Sequence, residues 1–252
     1  AKSKAGSYVF GPLSSPNRRF LDEEGNERFL TAWTAQGQLL VAEHFETFLA
    51  IAEGLMKRAE FPEILDADLY EEVKQVLPLL QPPLLITEAK GARRGSLAEW
   101  DEAWKAATDR KSPAPLLQGL FPGNSLQASP AMAEAARRTV LAGAEKGTGP
   151  ALAWSACLWA VFKDGDRALR LLQSAMRPLS GAKGSGLLAN YLAAGPGLGI
   201  EGNMTIASAL MLLFLQEDKT SIYILPALPL DFTDGEIRGL RTQKGLLVDI
   251  CF

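Results

Sequence analysis

The chain has 252 residues, of which 47% are hydrophobic and 22% charged, and its formal net charge is -3. This much apolar sequence can bury a large core, so the composition excludes a disordered chain. The weakly acidic balance lacks the basic footprint that phosphate backbones select, which argues against nucleic acid as a partner.

The ends and the most apolar run say little about location. Residues 206–215 form a run of about ten apolar positions, whereas a membrane span needs about 18 to 20. We therefore expect a buried helix there and no membrane partner. Residues 1–7 are basic but no apolar segment follows them, so they are not a signal peptide as they stand. The missing initial methionine fits a processed or excised chain, and the compartment stays open.

Apolar residues at helical spacing predict about six main helices. They cover residues 31–58, 66–79, 129–143, 150–162, 166–176 and 202–216. Ser129 and Pro130 predict a helix start, with serine as the N-cap and proline at the first helical position. Residues 150–162 and 202–216 are apolar almost all round, so other helices must enclose them. We expect a half-shell of a layered helical toroid, which would leave an apolar face exposed on residues 150–162 if the chain stood alone.

The spacing of the apolar residues changes from a helical to a strand-like pattern after Asp218. Short strands are predicted at residues 221–225, 236–242 and 246–252, with residues 243–245 as a hairpin turn. Two strands cannot bury a face by themselves. We therefore divide the chain into a helical part, residues 1–218, and a β segment, residues 219–252, and expect another chain or a missing N-terminal half to complete the barrel.

Several short motifs follow one another in an order that carries a family resemblance. They are Pro12-Leu13-Ser14-Ser15-Pro16, Leu97-Ala98-Glu99-Trp100, Gly119-Leu120-Phe121-Pro122-Gly123-Asn124, Gly147-Thr148-Gly149, Asp164-Gly165, Ile200-Glu201-Gly202-Asn203 and Leu225-Pro226-Ala227-Leu228-Pro229. In this order the chain resembles family 95 of the glycoside hydrolases, the α-L-fucosidases and α-L-galactosidases. The resemblance implies a mainly α fold, a portion of an (α/α)6 toroid followed by the start of a C-terminal β domain.

The resemblance implies that Glu201 is the general base. The family has an aspartate there, in an Ile-Asp-Gly-Asn motif, and a carboxylate at the mouth of a helical toroid can deprotonate a water as inversion requires. Glutamate adds one methylene, which shifts its oxygens. The other interpretation is that Glu201 only places a charge at a helix N-terminus. Asn203 is its companion, as a cap or as a wall of the site.

The general acid departs from the family pattern. Asn17 occupies the position of the family's glutamate after Ser-Pro, and an amide donates no proton to a leaving oxygen. Four carboxylates follow closely, at Asp22, Glu23, Glu24 and Glu27. One of them substitutes if the loop folds back; otherwise they form a solvated turn.

The family's sugar-binding histidines are missing from residues 112–116 and from Gly195. The single histidine, His44, lies within the first predicted helix. One histidine excludes most metal sites and most nucleophile-histidine pairs, so we expect neither metal nor cofactor. The family's paired asparagines, which hold the water, are also absent from this chain.

Aromatic and amide side chains complete the predicted site. Trp100 and Trp104 lie in an acidic, loop-rich stretch and are candidates for a cleft edge, where a ring can stack on sugar. The predicted substrate-binding residues are Asn203, Trp100 and Asn124. Both cysteines, Cys157 and Cys251, are expected to be buried and reduced.

The sequence is compatible with three functions. The first is an inverting glycoside hydrolase acting on a terminal α-linked L-fucose or a related sugar, for which an extracellular or periplasmic location is compatible with the resemblance. The second is a catalytically degenerate relative that binds carbohydrate or has a structural role. The third is a helical interaction domain, against which the strand-rich tail argues.

Overall fold

A computed structural model describes residues 2–3, 6–58, 66–88, 91–107, 113–143, 147–179, 184–194, 200–218 and 220–252. Within these ranges the fold is mainly α, with six α-helices joined by 3₁₀ turns and short strands. The helices are α1 (Ala35–Met56), α2 (Ala67–Val76), α3 (Pro130–Ala142), α4 (Gly149–Val161), α5 (Gly165–Met176) and α6 (Ile200–Phe214). The prediction of about six main helices is confirmed. None of the described helices is long and apolar enough to cross a membrane.

Small antiparallel sheets accompany the helices. The strands are β1 (Leu13–Ser14), β2 (Phe20–Leu21), β3 (Glu27–Arg28), β4 (Leu30–Thr31), β5 (Lys105–Ala106), β6 (Leu215–Glu217), β7 (Ile222–Ile224), β8 (Glu236–Arg241) and β9 (Leu247–Cys251). β1 pairs with β4, β2 lies between β3 and β5, β6 pairs with β7, and β8 pairs with β9. The three predicted C-terminal strands are confirmed. The strands before α1 were not predicted, because two-residue strands show no period.

The chain divides into two compact units. The first unit comprises Ala1–Asp109 and Ala114–Ala142, and the second comprises Arg110–Pro113 and Gly143–Phe252. The division predicted after residue 218, between a toroid portion and a β domain, stays a prediction.

Side-chain caps fix the starts of α1, α5 and α3. The Thr34 Oγ1 accepts a hydrogen bond from the Gly37 N–H at 3.1 Å, and the Asp164 Oδ1 accepts one from the Arg167 N–H at 3.1 Å. The Ser129 Oγ accepts one from the Met132 N–H at 3.2 Å, which confirms the predicted N-cap. A cap of this kind stabilises a helix by about 1 kcal/mol.

α4 forms the core of the second unit. Its residues from Ala151 to Ala160 are buried apart from Trp154, which is half-buried, and α5 and α6 pack against it. The enclosure predicted for this apolar helix is therefore confirmed, but the prediction that residues 150–162 present an exposed apolar face is wrong. In the same unit, α6 does present exposed apolar side chains, among them Ile200, Met204 and Met211.

The start of α5 contacts the Leu-Pro-Ala-Leu-Pro segment directly. A Cβ at Gly165 would lie 2.0 Å from the carbonyl oxygen of Ala227, so only glycine allows this approach. The Asp166 Oδ1 also accepts a hydrogen bond from the Leu230 N–H at 2.8 Å. Beyond this contact, β8 and β9 close over a small core of Leu215, Leu240 and Ile250.

Candidate functional site

Glu201 lies in the first turn of α6, and the residue is exposed. The helix begins at Ile200, two residues earlier than predicted, so Glu201 is helical and does not lie on a turn before the helix. A carboxylate in this position is favoured by the partial positive charge of a helix N-terminus.

Asn203 holds the neighbouring segment against α6. Its Oδ1 accepts a hydrogen bond from the Ala193 N–H at 3.0 Å, and its Nδ2 donates to the Tyr191 carbonyl at 2.8 Å. Both ends of the amide are therefore occupied by backbone two residues apart. Asn203 is the fourth residue of α6 and not its N-cap, and its predicted role as a wall of the site stays a prediction.

Glycines bring the same segment close to both helices. A Cβ at Gly202 would lie 2.6 Å from the Ala193 Cβ and 2.9 Å from the Pro150 Cγ. The Gly149 N–H donates to the Ala194 carbonyl at 3.1 Å. Thus the starts of α4 and α6 both contact the segment 184–194 at Ala193 and Ala194. Gly195 lies outside the described residues.

Asn17 occupies the third position of a tight turn. The Arg18 N–H donates to the Ser15 carbonyl at 3.1 Å, and Asn17 has a φ of 55°. Proline at the second position of a turn and a residue with a left-handed φ at the third are typical of a type II turn. Asparagine adopts the left-handed conformation readily. Asn17 is exposed.

A buried carboxylate fixes both ends of this turn. The Glu99 side chain is 1% exposed; its Oε1 accepts a 2.5 Å hydrogen bond from the Ser15 Oγ and lies 3.3 Å from the Arg18 Nε. Burial lowers the pKa of the Arg18 guanidinium, and the charge of Glu99 opposes that shift. Sequence reasoning missed this role of Glu99, although a carboxylate between the apolar residues Ala98 and Trp100 was a signal.

The acidic stretch after Asn17 is a solvated hairpin turn. The Asp22 Oδ1 accepts hydrogen bonds from the Glu24 and Asn26 N–H groups, at 3.1 and 2.8 Å, and its Oδ2 accepts one from the Arg28 Nε at 2.7 Å. The Asn26 backbone hydrogen bond, with help from Arg28, holds the pKa of Asp22 below its ordinary value. Asp22 is thus a structural carboxylate and a poor proton donor.

Trp100 is 1% exposed, and its ring centroid lies 5.3 Å from that of Phe20. It has no accessible face for a sugar, so its predicted place at a cleft edge does not fit. Trp104 is half-buried; it stacks on Phe20 at 5.6 Å and donates from its Nε1 to the Asp101 Oδ1 at 3.0 Å. Asn124 is exposed before the 3₁₀ turn Ser125–Gln127 and makes no side-chain cap.

The remaining candidates are the single histidine and the two cysteines. His44 is exposed on α1, and the described residues contain no group of three or more His, Cys, Asp or Glu that could hold a metal ion. Cys157 is buried as expected, but Cys251 is exposed, which corrects the prediction. Cys251 is the last residue of β9, and its side chain lies on the exposed face of the two-stranded sheet that β8 and β9 form. Asn17, Trp100 and Asn124 belong to the first unit, and Glu201 and Asn203 to the second.

Comparison with known proteins identifies the class to which this mainly α chain belongs. The profile of the glycosyl hydrolase family 95 catalytic domain matches residues 1–213, so the chain belongs to this family. It is also similar to Alpha-L-fucosidase 2 of Arabidopsis thaliana, with 27% identity over 256 residues. That match covers 99% of this chain and 29% of the relative, so the chain spans less than a third of the relative's length.

Proposed function

We propose that the chain contributes to an inverting glycoside hydrolase that removes a terminal α-linked L-fucose or a related sugar. Family membership and the similar α-L-fucosidase support this reaction. The observation that carries the proposal is the exposed Glu201 carboxylate on the first turn of α6, a turn that Asn203 ties to neighbouring backbone. Asn124, an exposed amide, is proposed to contact substrate, whereas Trp100 is too buried for that role.

Inversion requires two groups. One deprotonates a water on one face of the sugar while the other protonates the leaving oxygen on the opposite face. Glu201 serves as the base in our proposal, with its carboxylate accepting the proton of the water. Asn17, at the position of the family's general acid, has an amide that hydrogen-bonds but transfers no proton.

Two of the carboxylates near Asn17 are poor replacements for the acid. Glu99 is committed to Ser15 and Arg18, and the backbone hydrogen bond from Asn26 lowers the pKa of Asp22. We therefore propose that the acid comes from another chain or segment. The exposed apolar residues of α6, Ile200, Met204 and Met211, support such a partner because they lie on one helical face.

A second function is favoured by the geometry at Asn17. Asparagine suits the left-handed conformation there, where glutamate would be strained by about 1 to 2 kcal/mol. A residue chosen for the turn fits a degenerate relative that binds carbohydrate without cleaving it. This alternative predicts sugar binding without turnover.

Hydrolysis of an aryl α-L-fucoside by the full chain tests these proposals, with Glu201→Gln as the critical variant. Glu236→Gln is the control, because Glu236 is an exposed carboxylate in the same unit, paired only with Arg238. We expect weak or no turnover by the chain alone, and loss of whatever turnover there is in Glu201→Gln but not in Glu236→Gln.

Each outcome is informative. Turnover that survives Glu201→Gln would remove Glu201 from the mechanism. Full activity of the chain alone would refute the need for a partner that supplies the acid. If the chain alone is inactive, the double variant Asn17→Glu, Glu201→Asp restores both family residues. Activity in that variant would favour degeneracy over a missing partner.

A further inference from the structure

A three-residue loop near the start of α6 holds a tyrosine in an unusual backbone conformation. The Tyr191 N–H donates to the Leu188 carbonyl at 2.8 Å, and the Leu188 N–H donates to the Leu192 carbonyl at 2.9 Å. Ala189, Asn190 and Tyr191 form the loop between these bonds. Tyr191 has a φ of 63°, the left-handed conformation that the last residue of such loops adopts and that usually calls for glycine.

The Tyr191 side chain is largely in solvent, so its burial does little to offset this strain. Tyr191 is 76% exposed, more than any other aromatic residue among those described as exposed large hydrophobics. Bulky residues in the left-handed region are uncommon, and such strain occurs at sites where a ligand is bound. Neither the backbone conformation nor the burial of the ring explains why this position holds an aromatic residue.

The loop is also fixed from outside. The Asn203 amide donates to the Tyr191 carbonyl at 2.8 Å and accepts from the Ala193 N–H at 3.0 Å, so it holds the backbone on both sides of Leu192. Tyr191 therefore lies at the end of α6 that carries Glu201. Residues two apart on a helix point about 200° apart, so the loop and Glu201 lie on different sides of the same helix end, about 10 Å apart, which is one helix diameter. A platform at that distance reaches a neighbouring sugar and not the sugar at Glu201 itself.

We propose that Tyr191 is a stacking platform for a pyranose ring next to the sugar that Glu201 acts on. Phenol rings bind the apolar face of pyranoses, and a platform must be rigid and exposed to do so. The loop supplies rigidity and the ring supplies exposed surface. This inference rests on the proposed function for the identity of the neighbouring sugar. The occupant is a neutral hexopyranose of an oligosaccharide, not the terminal fucose itself.

Direct binding to the full chain tests the platform, with 2′-fucosyllactose, lactose and L-fucose as probes in ligand-observed NMR titrations. We expect Tyr191→Ala and Tyr191→Gly to weaken binding of 2′-fucosyllactose and of lactose about tenfold. Tyr191→Phe keeps the ring and should stay within twofold of the native chain. L-Fucose binding should not respond to any of these changes.

Stability separates this role from a structural one. Tyr191→Gly relieves the left-handed strain, so its Tm should equal or exceed that of the native chain while binding falls. Lys163→Gly is the matched control, because Lys163 is another non-glycine residue with a left-handed φ, 62°, in the turn between α4 and α5. Its sugar binding should be unchanged.

The results distinguish this inference from the proposed function. Native binding in Tyr191→Ala and Tyr191→Gly, or no binding of lactose and 2′-fucosyllactose by the native chain, overturns the platform. Binding of lactose that depends on Tyr191, together with no recognition of L-fucose and no turnover, keeps the platform and contradicts the fucosidase proposal. Turnover of 2′-fucosyllactose that depends on Glu201 but not on Tyr191 keeps the fucosidase proposal and contradicts the platform.

Discussion

Replacing Gly165 by alanine should disrupt the contact between α5 and the Leu-Pro-Ala-Leu-Pro segment, residues 225–229. The added Cβ would lie 2.0 Å from the Ala227 oxygen, 2.7 Å from the Ala227 carbonyl carbon and 3.0 Å from the Leu228 carbonyl carbon. These are backbone atoms, so no rotamer change relieves the overlap. Favourable carbon contacts need about 3.5 to 4.0 Å, so the two elements must separate by about 1.5 Å.

That separation breaks more than packing. It would lengthen the 2.8 Å hydrogen bond from the Leu230 N–H to the Asp166 Oδ1 beyond its useful range. Overpacking of this kind destabilises by about 1 to 3 kcal/mol, and a lost hydrogen bond adds about 1 kcal/mol. We expect the free energy of unfolding to fall by about 2 to 4 kcal/mol, summed from those two terms.

Urea unfolding followed by circular dichroism measures this change. Ser174→Ala is the control, since Ser174 is exposed on the same helix and bonds only to the Arg170 carbonyl of its own turn. It should change the free energy by less than about 0.5 kcal/mol. A Gly165→Ala chain as stable as this control would show that the close approach does not hold the unit together.

Two further predictions concern titratable groups. A maleimide should label exposed Cys251 in the folded chain and spare Cys157 until denaturant is added, because burial raises the pKa of the Cys157 thiol to about 12; equal labelling rates would contradict this. The Tyr223 hydroxyl, with backbone donors, holds the pKa of Asp218 well below 3.8, so this carboxylate stabilises the fold above pH 3.8 and loses that effect as the pH falls further. Tyr223→Phe should raise that pKa in an NMR titration, and an unchanged value would refute the assignment.

Helices were predictable from the sequence because their apolar residues repeat over many turns. The Ser129 cap and the Asp164 turn also follow from local chemistry. In contrast, β1 to β5 have two residues each, too few to show alternation. The pairing of β2 with β5 joins Phe20 to Ala106 across more than eighty residues, which no local pattern reports.

The site was predictable only in part, because the surroundings of its residues also depend on partners that are distant along the chain. The motif placed Glu201 at a helix start, and the structure agrees to within two residues. The environment of Trp100 depends on Phe20, and the role of Glu99 depends on Ser15 and Arg18, all about eighty residues away along the chain. Burial set by distant partners therefore decided which residues of a motif are accessible and which support the fold.

The two predicted catalytic positions differ in what their surroundings permit. Glu201 is exposed on a helix turn whose field favours a carboxylate, which is compatible with the base that we propose there. Asn17 lies in a left-handed position between Ser15 and Arg18, both held by buried Glu99, so the turn cannot relax to accommodate a strained side chain. A glutamate placed there must bear that strain, and asparagine does not. The turn thus accounts for Asn17 without any role in proton transfer, which agrees with our proposal that the acid comes from another chain or segment.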